Sequence, residues 1–282
     1  MAEGNREKYE LVIKPPGKGW FVNIDFPELW RYRELMWVFA IRDIKVRYKQ
    51  TYIGIAWAFI QPVLMVVLFN FIFGRLAKMP SEGIPYPLFS FIGVALWNYF
   101  STSLGSASNS VIGNEGIIKK VYFPRLVLPI SSAITPLVDL AIALVIFAAL
   151  MAFYGYVPSW WGILLLPIII LLSFLAATGA GLFCASLNLK YRDIRYALPF
   201  FIQLLMYATP VIYPSSLLAG RFHWILVLNP MTGVIEAARA GLLGSGPLDI
   251  KLLGISALGS IALFFFGVYR FKKTERFFAD IV

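Results

Sequence analysis

The sequence predicts an all-α integral membrane protein. It should have six transmembrane helices, an N-terminal amphipathic interfacial helix, and a re-entrant helix pair between spans five and six. Three observations lead there. The 282 residues are 59% hydrophobic and only 14% charged, whereas soluble domains carry roughly 25% charged residues; the mean hydropathy is +0.74. The uncharged runs are long enough to cross ~30 Å of hydrocarbon at about 1.5 Å per residue. Twenty of the twenty-five Lys and Arg residues fall in four clusters: ten within 6–49, then Lys119, Lys120 and Arg125, then Lys190, Arg192 and Arg195, then Arg270, Lys272, Lys273 and Arg276. Cytoplasmic loops carry the excess of Lys and Arg, so these clusters and both termini are expected in the cytoplasm. The net charge of +10 would also suit a soluble nucleic-acid binder, but basic residues flanking span-length apolar runs exclude that class. No nucleic-acid partner is expected.

Residues 1–26 are polar and punctuated by Pro and Gly, and predict a cytoplasmic arm. No apolar leader follows the mixed charges Glu3 to Glu10, so the first span should serve as the insertion signal. Residues 27–50 predict a helix opened by Pro27 and Glu28, both suited to a first turn. Trp30, Trp37, Ile41, Ile44 and Tyr48 form one face of it, with basic residues to the side, as on a helix lying at a membrane surface. The six-span domain occupies 51–276, with spans near 53–74, 88–110, 127–153, 162–187, 196–213 and 252–269, and a tail at 277–282. Pro62 should kink the first span. The inner half of the second is rich in Ser, Thr, Gly and Ala (101–108), which favours close helix contact. Residues 215–247 are apolar but contain Glu236, Arg239 and the break Asn229-Pro230. A full span there would place the last basic cluster outside, against the charge rule, so a broken re-entrant pair is expected, lining protein or a water-filled cavity.

Several chemistries are missing. There is no phosphate-binding loop, no zinc-protease motif and no nucleophile elbow. One Cys (Cys184) and one His (His223) build neither an intramolecular disulfide nor a metal site. No metal, catalytic residue or bound cofactor is expected. The ionisable residues within the spans, Asp139, Glu236 and Arg239, are fewer than an ion-coupled transporter usually carries. Energy for any transport should come from another chain.

Motifs with recognisable order follow one another along the sequence. Arg42-Asp43-Ile44-Lys45-Val46-Arg47-Tyr48-Lys49-Gln50-Thr51 leads to Gly54-Ile55-Ala56-Trp57 and Gln61-Pro62. Ile72-Phe73-Gly74-Arg75, Pro85-Tyr86-Pro87-Leu88-Phe89 and Asn109-Ser110 come next. Lys120-Val121-Tyr122-Phe123-Pro124-Arg125-Leu126 precedes the third span, and Leu189-Lys190-Tyr191-Arg192-Asp193-Ile194 follows the fourth. From about residue 20 to 275 the chain resembles the membrane subunits of type-2 ABC exporters for cell-surface polysaccharides. It is most similar to O-antigen (lipopolysaccharide) exporter permeases of the Wzm type, with teichoic-acid and capsule exporters as relatives.

The resemblance implies a homodimer of six-span subunits in the bacterial inner membrane, with two cytoplasmic ABC ATPase subunits that hold the ATP and Mg. The implied substrate is a polysaccharide on an undecaprenyl-type lipid carrier, within ordinary membrane lipid. It also implies an ATPase-coupling element at Glu115, Ile117, Ile118, Lys119, Lys120, Val121 and Tyr122, with Arg192 and Asp193 as a second contact; the bland alternative is a basic loop without a partner. Helix 27–50 resembles the gate helix of these exporters. Arg31, Arg33, Arg42, Lys45 and Arg47 there suit a lipid diphosphate, ordinary anionic lipid or the ATPase equally. Tyr86, Phe89, Trp97, Tyr99, Phe100, Tyr207, Tyr213 and Trp224 are candidates to stack on sugar rings along the pathway; interfacial belt residues look the same in sequence. Glu236 and Arg239, three apart, should pair within their turn, for structure or for gating. An exporter of a drug or simple lipid, and an integral membrane transferase acting on a lipid-linked sugar, stay open as alternatives.

Overall fold

The computed structural model describes residues 26–49, 54–191, 193–218 and 223–275. Residues 1–25 of the expected arm, Arg192, part of the re-entrant stretch (219–222) and the tail lie outside the described residues. Every described element is helical.

Two short helices open the chain, α1 (Phe26–Arg31) and α2 (Arg33–Lys49), separated at Tyr32 where a single helix was expected. The face that packs on the fold is not the Trp face read as lying at the membrane surface. Phe39 and Ala40 are buried, packed with Leu35 and Met36 on Phe123, Val127 and Leu128, while Trp30, Trp37 and Ile41 point away from the fold. Helix α3 (Gly54–Phe69) contains Pro62, which removes one ladder hydrogen bond, and widens into a π-helical turn over Asn70–Leu76. A tight loop with Lys78, Glu82 and Gly83 at positive φ returns the chain to α4 (Tyr86–Gly113).

The 28-residue α4 is the centre of the fold. It packs on α3, on α6 (Val127–Ile134), α7 (Leu137–Tyr154), α8 (Trp160–Asn188) and α9 (Ile194–Ala208), and on α11 (Pro230–Leu243). Residues 86–97 of α4 are buried without exception. The expected third span is interrupted at Thr135-Pro136, because Pro136 has no N–H to continue the helical ladder. Glycine pairs bring helix backbones together: Gly162 of α8 meets Gly241 of α11, and Gly179 of α8 meets Gly267 of α12 (Ile250–Glu275). A side chain at Gly162, Gly179 or Gly267 would collide with the facing backbone, and a Cβ at Gly241 would lie only 3.0 Å from the Gly162 Cα. Such close approaches suit helices that associate by packing rather than by solvent exclusion.

Among the described residues, four helical stretches are long and apolar enough to cross a membrane: Phe59–Leu76, Val127–Tyr154, Trp160–Asn188 and Ile250–Glu275. The long α4 is more polar, and α9 is apolar but has only 15 residues. The stretch expected as re-entrant forms a 3-10 turn (Ser215–Leu218), α10 (His223–Leu228) and α11. Asn229 separates the last two and caps α11, its Oδ1 accepting from Met231 N at 3.0 Å. Pro230 occupies the first turn of α11 and Gly244, at φ 69°, ends it.

Candidate functional site

Three regions carry the expected site residues. The first is the loop between α4 and α6, which contains the single-turn α5 (Glu115–Ile118). Ile117 and Ile118 do not form its free face. They are half-buried against Leu29, Tyr32, Leu35, Met36, Phe39 and Phe123, so the apolar side of the loop is taken up by α1 and α2. The expectation placed both isoleucines at a partner contact; here they pack within the chain's own fold and keep part of their surface open. The free face carries Lys120 with Val121 and Tyr122, 59% and 65% exposed, and the exposed pair Lys119–Glu115 at 2.6 Å. Arg125 donates to the Glu275 carbonyl at 2.9 Å, which ties the loop to the end of α12. Leu126, Leu189 and Phe271 share one apolar cluster with Val111 and Val268. The three basic clusters after residue 118 therefore converge on one end of the helix bundle. Asp193 and Tyr191 are exposed there. The Tyr122 hydroxyl pKa is raised, first by partial burial and then by the nearby Glu28 and Glu275 carboxylates.

The second region is the face of α1 and α2. Arg31, Arg33 and Lys45 are exposed. Arg33 lies over the Trp30 ring at 5.3 Å, beside an apolar cavity of about 410 Å³ lined by Pro27, Leu29, Trp30 and Met36. Arg42 is already committed to Asp43 at 2.7 Å and to the Phe39 ring at 4.9 Å. Arg47 pairs with Asp139 at 2.8 Å, and Tyr48 donates a hydrogen bond to the same carboxylate. Burial first, and then that bond, push the Tyr48 phenol up to about 12, so it stays a neutral donor. The lone acid of α7 thus fastens the end of α2. Sequence spacing could not pair residues 91 positions apart.

The third region surrounds Arg239. Its side chain is 0% exposed, stacked over the Phe89 ring at 3.7 Å. Its guanidinium donates to the carbonyls of Phe89 (3.2 Å), Pro210 (2.8 Å) and Val211 (2.6 Å), and to Glu236 at 3.3 Å. Glu236 also accepts from Ser215 N at 3.3 Å. The arginine therefore satisfies carbonyls left over where α9 ends, and joins α4, the 209–215 segment and α11. The Glu236–Arg239 pair has the expected geometry, and its partners make it a structural clamp.

Five of the expected pathway aromatics are placed differently. Tyr86, Phe89, Trp97, Tyr99 and Phe100 are buried inside the protomer. Tyr86 donates to the Ile212 carbonyl at 2.7 Å, and Trp97 packs on Phe100 with ring centroids 5.2 Å apart. The outer half of α4 is enclosed by α7, α8 and α11, so these rings build the core. Tyr207 and Trp224 are exposed; Tyr213 is half-buried and donates to the Tyr207 carbonyl at 2.9 Å.

Two features went unread in the sequence. The small and hydroxyl residues of α4 divide between two faces. Ser103, Ala107, Ser108 and Ser110 are buried, with Asn188 donating to Ser108 Oγ at 2.8 Å, whereas Ser101, Thr102, Gly105 and Ser106 are half-open. Gln61 and Gln203 are exposed within α3 and α9. Their signal in the sequence was a single amide inside each apolar run.

Known proteins give this arrangement a context. An O-antigen export system permease protein RfbA of Klebsiella pneumoniae is 32% identical over 252 residues, 88% of this chain and 95% of that protein. A protein of the same name from Myxococcus xanthus is 28% identical over 90% of this chain and 98% of its own length. The polysialic acid transport protein KpsM of Escherichia coli is 21% identical over 83% of this chain and 91% of its own. Residues 34–243 match the ABC-2 type transporter family. With that match added to the apolar helices and to relatives covered almost end to end, this multi-pass membrane protein belongs to the ABC-2 type transporter family.

Proposed function

We propose that this chain is the permease subunit of an ATP-driven exporter that moves lipid-linked, O-antigen-like polysaccharide across the bacterial inner membrane. The observation that carries this is the similarity to O-antigen export permeases along 88% of the chain. The permease is a non-enzymatic transport subunit. ATP and Mg bind to a separate cytoplasmic ATPase, two copies of which serve a permease homodimer. The substrate's carrier is an undecaprenyl-type lipid diphosphate.

In this reading the chain has six spans, formed by α3, α4, α6 with α7, α8, α9 and α12, and the basic end of the bundle is cytoplasmic. Convergence of the basic clusters on one end supports that orientation. The α10–α11 pair is re-entrant from the outer side. Supporting this, Pro230 at the start of α11 lies beside Gly259, nine residues or about 14 Å into α12, whereas Gly241 near its end meets the first turn of α8. The free face of the α5 loop, Lys119, Lys120, Val121 and Tyr122, docks on the ATPase, with the stretch around Asp193 as a second contact. Arg31, Arg33 and Lys45 are the cations left to meet a lipid diphosphate at the membrane surface, while Arg42 and Arg47 hold the helix in place.

Deletion of the gene in its native cell is expected to abolish surface polysaccharide, with the lipid-linked polymer accumulating inside. The purified chain in lipid is expected to show background ATP hydrolysis, rising only when the ATPase subunit is added. Intact surface polysaccharide in the deletion strain, or robust hydrolysis by the chain alone, would overturn the assignment.

A further inference from the structure

We propose that α2 is a splint laid across the break at Pro136, locked at its far end by Asp139, and that opening this lock frees the joint between α6 and α7.

The joint comes from the sequence. Pro136 has no N–H for the helical ladder, so the apolar run splits into α6 and α7 at Thr135-Pro136. Helix α2 lies alongside and touches both pieces. Phe39 packs on Val127 and Leu128 of α6 and on the Phe123 ring, with centroids 5.8 Å apart. Arg47 and Tyr48 hold Asp139 in the first turn of α7. The lengths agree. Phe39 to Tyr48 is nine residues of one helix, about 14 Å, and Leu128 to Asp139 is eleven residues across the break, about 16 Å. One helix thus bridges a gap in another, with an apolar grip at one end and a charged grip at the other.

The two grips are unequal. Phe39 is 5% exposed and Ala40 0%. Past them, no residue whose side chain is described is buried until Val66 in α3. The end of α2 is therefore positioned by Asp139 and not by packing. The Arg47 and Asp139 side chains are 42% and 35% exposed, and an ion pair this open yields far more readily than a packed apolar face. Both partners are also provided for when apart. A carboxylate in the first turn of a helix is favoured by the free N–H groups there, and a cation in the last turn by the free carbonyls. Asp139 and Arg47 occupy those two places. Closed and open lock are each supported, as a switch requires. Because α6 follows the α5 loop directly, displacement of that loop reaches the spans through this joint. That use of the joint rests on the ATPase reading above; the lock itself does not.

The test uses the full chain in lipid nanodiscs, with Cys184→Ala and paired spin labels, diluted with unlabelled chain so that distances within one chain are read. Labels at Val46→Cys and Val145→Cys report the lock. Labels at Lys120→Cys and Val145→Cys report the joint. Asp139→Asn is expected to shift or broaden both distances by at least about 2 Å, the scale of a helix shift in a switching protein. Asp139→Glu should keep the wild-type distances. If Asp139→Asn lowers the unfolding temperature, Arg47→Asp combined with Asp139→Arg separates a lost contact from a lost fold, because the reversed pair should recover both distances. With the ATPase bound and trapped with ATP, the Val46–Val145 distance of the otherwise wild-type chain should move in the direction that Asp139→Asn moves it. Unchanged distances in Asp139→Asn would overturn the lock. So would a change confined to the Val46 pair, since Asp139 would then tie down a helix end and nothing more. A distance that stays fixed while the attached ATPase binds ATP would overturn the joint's part in transport. A chain that retains no ATPase defeats the functional reading instead, and the distances in the chain alone still decide the lock.

Discussion

At the scale of the residue, Arg239 carries the largest local load. A guanidinium removed from water is costly unless each N–H meets an acceptor, and this one meets three carbonyls and a carboxylate. Gly93 gives it room: a Cβ there would lie 2.5 Å from the Val211 carbonyl oxygen and 2.8 Å from Arg239 Nη2. Arg239→Met would strip Glu236 of its charge partner, leaving it the Ser215 N–H, and would take one donor from each of three buried carbonyls. The expected loss is about 3–5 kcal/mol, the usual result of removing one partner of a buried pair. Thermal unfolding of the purified chain in lipid nanodiscs would read it, and Glu236→Gln in the same chain should restore part of the loss. A change of less than about 1 kcal/mol would show that the clamp is not needed. The Glu236–Arg239 pairing was legible in the sequence, because residues three apart on a helix are neighbours. Its other acceptors were not, since Val211 and Phe89 lie 28 and 150 positions away.

At the scale of the element, the α5 loop is a plate with two faces. One is held by α1 and α2 through Ile117, Ile118 and Phe123, and the other is free at Lys120, Val121 and Tyr122. The loop's amphipathic character could be read from sequence. The destination of each apolar residue could not, because an interfacial helix of the same chain and an ATPase groove both offer apolar contact. The same limit hid the break at Pro136, where the apolar run continues without interruption, and the split of α4 into a packed face and an open one. The two faces of the loop separate experimentally. Ile118→Asp places a carboxylate in a packed apolar cluster and should destabilise the chain by several kcal/mol. Val121→Ala with Tyr122→Ala should leave the unfolding temperature within a degree or two, yet lower retention of the ATPase in pull-down by at least about tenfold, as truncation of aromatic anchors does. Full retention by the double variant would move docking to the Tyr191–Asp193 side.

At the scale of the whole molecule, the layout follows from two demands on the same chain. Backbone polar groups within hydrocarbon must bond internally, hence helices throughout. Charge must stay at the ends or be paired, hence the gathering of Lys and Arg at one end and the enclosure of Arg239. Composition and charge clusters made the helical membrane class and its basic end legible. Span count was harder, since α9 has 15 residues and α11 has 14, about 22 and 21 Å, short of the ~30 Å core. Such helices must be held by neighbours rather than by lipid alone, and α11 is, with twelve buried residues among α4, α8 and α12. The topology this implies can be tested with single cysteines at five exposed positions, Pro80, Lys120, Val157, Tyr191 and Pro247, in a Cys184→Ala chain. In intact cells an impermeant maleimide should reach 80, 157 and 247. Positions 120 and 191 should label only after the membrane is opened. Position 247 decides the re-entrant pair, because it lies between α11 and the 26-residue α12, whose far end touches Arg125. If 247 labels only together with 120, the pair does not return to the outer side, and the six-span arrangement must be replaced.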